Sequence, residues 1–394
     1  MSNFITEIKI EKVRHLENIN IVLGEEKKHL ILTGKNGSGK TSVLEELDRY
    51  ISMILTTDAM GAIDTLWTGI ENRKKKIEEK VGIAIILNKH DLFEISRDSR
   101  MNNNQPYNFI YSFFPATRIN ETNKPKGVTK VELSNNKIKK LNQDFMQYIV
   151  NLKTKQAYAQ LDGDSKVADK INNWFAHFEK ILQTIFNDNE LKIVYDRDNF
   201  NFTIQRPSRE EFDFNTLSAG YSAIVDIITE LILKIETTIS KSFDVEGIVL
   251  IDEIENHLHV ELQKNILPLL TSFFPNIQFI VTTHSPFILQ SIENSIVYDL
   301  ERREQLSGEK LSKASYTDIV KNYFEVDSQF SQILENEVSR YENLVEIFDE
   351  EKLNREQEKE LLELDIKLDK IAPMLSDTIY LRFKEAQDRI SEDG

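Results

Sequence analysis

The chain has 394 residues, 40% of them hydrophobic, enough to bury a large core as one elaborated α/β domain or as two or three smaller ones. Acidic residues outnumber basic ones by 65 to 49, and the formal net charge of −16 argues against a protein that coats nucleic acid through charge alone. There is no cysteine, which excludes disulfides, thiolate zinc sites, iron–sulfur clusters and a cysteine nucleophile.

The first residues, Met1 to Ile8, lack a charged start followed by an apolar core, and no apolar run approaches the roughly 20 residues of a membrane span, so a cytoplasmic chain with no membrane contact is expected. Residues 3–10 and 19–23 read as two strands joined through Val13 to Leu16. The apolar run Leu30 to Leu32 suits a buried strand, Gly34-x-x-x-x-Gly39-Lys40-Thr41 follows at once, and Val43 to Tyr50 can continue as a helix. That order is the context of a phosphate-binding loop. Its glycines let successive N–H groups, from Gly34 through Asn36, Gly37, Ser38 and Gly39 to Ser42, point into one concavity at the positive end of a helix. Lys40 would add a point charge near the outer phosphates, and the Thr41 hydroxyl would bind Mg²⁺.

Arg73 to Lys76 followed by Glu78 and Glu79 suits a solvated helix face with opposite charges in reach, more than a nucleic-acid patch. Val81 to Leu87 and Leu92 to Ile95, separated by the polar residues 88–91, are expected to form a hairpin. Phe109 to Phe114 reads as a further strand, and Arg118 just beyond it either faces a nucleotide or lies on the surface. Residues 121–140, with Lys124, Lys126, Lys130, Lys137, Lys139 and Lys140, form an exposed basic loop that could touch an acidic partner. From Leu141 the period becomes helical, through Phe145, Tyr148, Ile149 and Leu152 and then Ile171, Trp174, Phe175, Phe178, Ile181, Leu182 and Ile185, with Asp162-Gly163-Asp164 between. The aromatic stripe on one face is read as core, and Leu191 to Tyr195 with Phe200 to Ile204 as a second hairpin.

Three later segments carry chemistry. Leu217-Ser218-Ala219-Gly220-Tyr221 opens a long apolar helix, with Ser218 as N-cap and Gly220 leaving N–H groups uncovered, a second anion site; a serine that merely caps a core helix looks the same. In Gly247 to Glu253, a buried strand ends on two carboxylates, where ligands collect in open parallel sheets. Adjacent acids there need a cation, which Mg²⁺ with ATP supplies. Because strand side chains alternate, Asp252 would hold the Mg²⁺ and Glu253 would orient or deprotonate the attacking water. Ile277 to Thr282 is another buried strand, with His284 just past its end, placed to bond the terminal phosphate or the water.

In this order the motifs resemble the head domain of ABC-type ATPases, in the branch containing SMC, Rad-type, RecF and OLD-like proteins. Gly34 to Thr41, including Asn36, resembles that branch's phosphate loop; Leu217 to Tyr221 resembles the signature that contacts ATP held by the opposite protomer; Asp252 and Glu253 match the Walker B pair, and His284 the switch histidine. Glu255 to His259 resembles the D-loop of OLD-like relatives, with His259 where transporters carry aspartate. The signature has Ala219 and Tyr221 in place of a glycine and a glutamine, and Arg118 occupies the region of the Q-loop glutamine. The insert 119–213 is too short for coiled-coil arms, and the whole resembles the ATPase subunit of anti-phage systems of the Septu or PARIS kind, which control a separately encoded nuclease or toxin.

The implied fold class is α/β: an ABC ATPase head with a P-loop core sheet, an antiparallel β subdomain, a helical signature lobe and a helical tail. The head comprises 1–118 and 214–305, the inserted lobe 119–213 and the tail 306–394. In the tail, Leu361, Leu364, Leu368 and Ile371 make a narrow apolar seam that Tyr341, Leu344, Val345 and Phe348 could face, suited either to a helical hairpin or, slightly favoured, to association. The resemblance implies ATP and Mg²⁺, a homodimer or higher oligomer of heads, and contact with an effector, a phage component or DNA; a RecF-like repair ATPase is the alternative, marked by salt-steep duplex binding.

Overall fold

The computed structural model describes the chain apart from residues 1–2, 57–66, 102–107, 119–122, 126, 130, 132, 134–140, 208–209, 239, 320–331, 351–352, 376 and 393–394. Contacts divide it into two units, Met1–Ala314 and Ser315–Gly394.

The first unit opens with an antiparallel hairpin, β1 (Ile5–Val13) and β2 (Leu16–Val22), in which Ile8, Ile10, Ile19 and Ile21 turn inward while polar residues turn out. Next come β3 (His29–Thr33), buried at every position, α1 (Lys40–Thr56) and α2 (Trp67–Val81). The charged run on α2 is largely exposed, and Lys74 pairs with Asp91 at 2.5 Å. β4 (Ile83–Leu87) joins β1 to complete a three-stranded sheet of order β2-β1-β4. The expected hairpin partner at Leu92 to Ile95 is instead the start of a helix, α3 (Leu92–Met101). Asp91 and Glu94 explain the difference: Asp91 Oδ1 accepts the N–H of Phe93 at 3.0 Å, and Glu94 Oε2 accepts the N–H of Asp91 at 3.1 Å. This reciprocal cap nucleates a helix whose buried Leu92 and Ile95, three apart, share one face.

After β5 (Phe109–Phe114), the inserted lobe consists of α4 (Phe145–Leu161), α5 (Ser165–Phe186) and a small antiparallel sheet of β6 (Lys192–Asp196), β7 (Asn201–Gln205) and β8 (Phe212–Asp213). Asp164 caps α5 by accepting the N–H of Val167. The aromatic stripe packs together, buried at Phe145 and Phe178 and half-buried at Tyr148, Trp174 and Phe175: Phe145 and Phe178 lie 5.2 Å apart, and Phe175 stacks on Phe202 at 5.6 Å. The lysine-rich stretch 121–140 falls largely outside the described residues.

The chain then returns through α6 (Ala219–Glu236), β9 (Glu246–Ile251), α7 (Val260–Phe273), β10 (Ile277–Thr282), α8 (Pro286–Leu289), β11 (Ser295–Asp299), β12 (Glu304–Ser307) and α9 (Gly308–Ser312). The core sheet has the order β12-β11-β3-β10-β9-β5, parallel except for β12. Both halves of the chain are therefore interleaved in one sheet, and β3, β10 and β9 are neighbours. The buried Gln278 on β10 accepts the N–H of Ile5 at 2.7 Å and donates to the carbonyls of Ile5 and Lys28. His29, only 3% exposed, accepts the N–H of Phe279 on Nδ1 at 3.0 Å.

In the second unit a short α10 (Tyr316–Asp318) precedes three long helices, α11 (Gln332–Glu350), α12 (Arg355–Ile371) and α13 (Asp377–Glu392). The seam residues Leu361 and Leu368 pack with Tyr341, Leu344 and Val345 of α11 and with Ile379, Phe383 and Ala386 of α13. The third helix, unread in the sequence because its apolar positions are sparse, closes the seam; the slight preference for an association surface there gives way to an internal core. Phe348, expected to face the seam, is 39% exposed.

Two measurements check these assignments. Leu368→Ala should cost about 2–5 kcal/mol of unit stability in urea titrations, whereas Leu362→Ala, at a position 61% exposed, should stay within about 0.5 kcal/mol. Burial, and secondarily Lys27, push the pKa of His29 down to about 3. The folded state thus refuses a proton that the unfolded state accepts below about 6.5. This contribution is complete above that pH and falls by about 1.4 kcal/mol per unit as the pH drops toward 3. His29→Gln should flatten that slope in thermal midpoints measured between pH 7 and pH 5.

Candidate functional site

The phosphate loop runs from the buried end of β3 to the first turn of α1. Gly34, at φ +136°, could not carry a side chain, because a Cβ would lie 2.7 Å from Ser38 Oγ. At Gly39, φ +97°, a Cβ would meet Leu16 at 2.8 Å. Asn36 and Gly37 stand exposed at the crest, while Ser38, Lys40 and Ser42 are buried. Lys40 Nζ donates to the carbonyls of Gly34 at 2.9 Å and Lys35 at 3.0 Å, so its charge curls back over the loop. Burial pulls its pKa below the ordinary lysine value, against the opposing pull of Glu253, Glu255, Asp252 and Asp299.

The acid pair follows β9. Asp252 is 2% exposed, and its Oδ1 accepts from Thr282 Oγ1 at 2.6 Å and from Thr41 Oγ1 at 3.3 Å. The phosphate loop therefore meets the acid pair through the Thr41 hydroxyl of α1, while the Thr282 hydroxyl ties the same carboxylate to β10. Glu253 takes a different course: its backbone is left-handed, φ +44°, and its N–H donates to Thr282 Oγ1 at 2.7 Å. The turn continues through Ile254, whose N–H bonds the Thr282 carbonyl, to His257 at φ +66°. His284 donates its backbone N–H to Glu255 Oε1 at 2.5 Å. Burial first, and then the nearby Lys40, hold its imidazole below the usual histidine range, so at neutral pH it is uncharged. Asp252, Glu253 and Glu255 thus lie near enough to act through space on both Lys40 and His284.

The signature residues are arranged otherwise. Ser218 occupies the N-cap position of α6, but its hydroxyl makes no capping bond and is exposed. Gly220 is buried with its Cα against the turn after β9, where a Cβ would come within 2.9 Å of the His257 carbonyl. Arg118 does not face outward. It is 5% exposed and donates to the carbonyls of Asp252 at 2.7 Å and Glu253 at 2.8 Å.

Sequence reasoning missed Thr282, Glu255 and the use made of Arg118. A threonine ending an apolar strand beside the strand of the acid pair is the available signal for the first; the others depend on contacts between segments far apart in the chain. Two clefts, of about 910 and 1140 Å³, lie elsewhere, one along α5 and α7 and one between the inserted lobe and the residues that follow α6.

The residues suit an anionic phosphate with a hard divalent cation. Ser38 Oγ is buried without a hydrogen-bond partner among the described residues, and Lys40 is bonded there to neutral carbonyls. Thr41 and Asp252 offer adjacent oxygen ligands. Among the described residues no group of three or more His, Asp or Glu could hold a metal unaided; a cation here would need phosphate oxygens to complete its shell.

Comparison with known proteins agrees in kind. Residues 136–290 match a family described as "AAA domain, putative AbiEii toxin, Type IV TA system", a span holding the signature, the acid pair and His284. The chain is similar to Septu protein PtuA of Bacillus mycoides (strain KBAB4), 26% identical over 332 residues that cover 78% of this chain and 42% of the relative. It is similar as well to the "Retron Ec83 probable ATPase" of Escherichia coli, 29% identical over 198 residues that cover 45% and 34%. The chain therefore spans less than half the length of these two curated relatives. Among solved structures, an SMC head bound to the C-terminal winged-helix domain of ScpA aligns over 78% of this chain and 99% of its own, at 15% identity and a TM-score of 0.42.

Thr282 gives the site its own test. Thr282→Val strands the Glu253 N–H and removes the donor to Asp252, and should cost about 1–3 kcal/mol in chemical denaturation. Thr282→Ser, which keeps the hydroxyl, should recover most of it.

Proposed function

We propose that this chain is an ABC-type ATPase that hydrolyses ATP with Mg²⁺ at a composite site between two copies of itself, and that it serves as the regulatory ATPase of an anti-phage system with a separately encoded nuclease or toxin. The observation that carries the ATPase reading is the meeting of the phosphate loop with the acid pair, Thr41 to Asp252 at 3.3 Å, at one edge of the parallel sheet. The defence role draws on the likeness to Septu and retron proteins.

ATP phosphates lie on the N–H groups of Gly34 to Ser42, and Lys40 exchanges its carbonyl partners for phosphate oxygens. Thr41 and Asp252 would hold Mg²⁺, which would supply charge neutralisation of the phosphates. Glu253 aligns a water and takes its proton, and the neutral His284 hydrogen-bonds the terminal phosphate without adding charge. Ser218 and Gly220 of a second copy close the site: the exposed Ser218, whose hydroxyl makes no capping bond at the start of α6, suits a phosphate that does not come from the same chain. Dimerisation and hydrolysis are then coupled, because each copy alone has half a site.

Glu253→Gln should lower the hydrolysis rate by on the order of 100-fold or more while leaving ATP binding intact. With ATP and Mg²⁺ it should accumulate as a dimer by light scattering. A variant that hydrolyses ATP at the wild-type rate, or stays monomeric with ATP, would overturn the assignment.

A further inference from the structure

The turn that carries Glu253 is gripped from both sides. On one side Thr282 Oγ1 accepts the Glu253 N–H and the Thr282 carbonyl accepts that of Ile254. On the other, Arg118 reaches under the turn from the end of β5. Its Nη1 donates to the carbonyl of Asp252 at 2.7 Å and more loosely to that of Pro115 at 3.3 Å; its Nη2 donates to the carbonyls of Glu253 at 2.8 Å and Ile254 at 3.5 Å. Three successive carbonyls, 252, 253 and 254, converge on one planar fork, a pattern that a lysine's single ammonium could not match.

The geometry to be held is an unfavourable one. Left-handed backbone at a residue with a Cβ costs about 1–2 kcal/mol and persists where surrounding bonds over-determine it. At Glu253 that conformation sets the direction in which the carboxylate leaves the chain. The guanidinium adds a second effect. Its hydrogen bonds go to neutral carbonyls, so its charge remains to act through space on Asp226 first and then on Glu255, Asp252 and Glu253.

We propose that Arg118 is a positioning residue for Glu253: by clamping the carbonyls of 252–254 it fixes the strained turn, and with it the carboxylate, in the orientation that hydrolysis needs. The inference rests on the reading that Glu253 directs the attacking water. It assigns to Arg118 a role through the backbone, distinct from any contact with nucleotide.

The test measures hydrolysis, affinity for a fluorescent ATP analogue and thermal midpoint for the wild type, R118K, R118Q, E253Q and R118Q/E253Q. A 1 Å displacement of a reacting group can cost about 100-fold, so both Arg118 variants should lose on the order of 10- to 100-fold in kcat. Analogue affinity should stay within about twofold, a difference of under 0.5 kcal/mol. In the E253Q background R118Q should cause no further loss, because there is no longer a carboxylate to position. If R118Q does not fold, R118K carries the test, since it keeps charge and bulk but not the fork. Wild-type kcat in either folded variant, a parallel loss of affinity, or a full additional loss in the double variant would overturn the inference alone. A wild type that does not hydrolyse ATP, or an E253Q protein as fast as wild type, would overturn the reading of Glu253 and this inference with it.

Discussion

One hydroxyl organises the site. Thr282 Oγ1 donates to the carboxylate of Asp252 and accepts the backbone N–H of Glu253, at 2.6 and 2.7 Å. Two neighbouring acids that the sequence writes side by side are thereby given different environments, one drawn into the sheet edge toward Thr41 and the other turned out through a left-handed residue. The arrangement is possible because β10 lies between β3 and β9, so a side chain at its C-terminal end can reach the strand ends on either hand. Strand order, set by burial of five apolar parallel strands, comes first, and the chemistry is a consequence of what each strand carries at its last residue.

The corner concentrates charge that would be unfavourable in isolation. Asp252, Glu253 and Glu255 lie within the field of two buried cations, Lys40 and Arg118, both hydrogen-bonded to backbone carbonyls rather than tied up in ion pairs with the acids. Carbonyl partners meet the hydrogen-bonding needs of a buried cation without neutralising it, which leaves the charges available to each other and to a polyanionic ligand. The same burial keeps His284 neutral.

Much of this was legible in the residues. The phosphate loop, the β9 strand with its acid pair and the β10 strand were readable because each couples a continuous apolar run to polar residues at a fixed offset, a pattern with few alternatives. The inserted lobe was readable from its change of period at Leu141. Leu92 to Ile95 misled because four apolar-rich residues fit strand and helix equally; the cap at Asp91 and Glu94 decides, and its weight depends on a packing face supplied by α1. The tail seam was found but its partner was not, since α13 contributes only scattered apolar positions that gain meaning once folded against α11 and α12. The roles of Arg118 and Glu255 lay beyond reach for another reason. Each acts on the backbone of a distant or turning segment, and backbone atoms leave no mark in a sequence.

Gln278 bears on how the molecule would move. Its side chain joins β1 to the core sheet and to the residue before β3, bonding backbone groups of Ile5 and Lys28. The antiparallel sheet is in this way riveted to the parallel one at the edge opposite the phosphate loop. The amide of Ile5 is thus held by a side chain from another sheet, and both Ile5 and Gln278 are fully buried, so a displacement of β10 is felt at β1 through this one amide group.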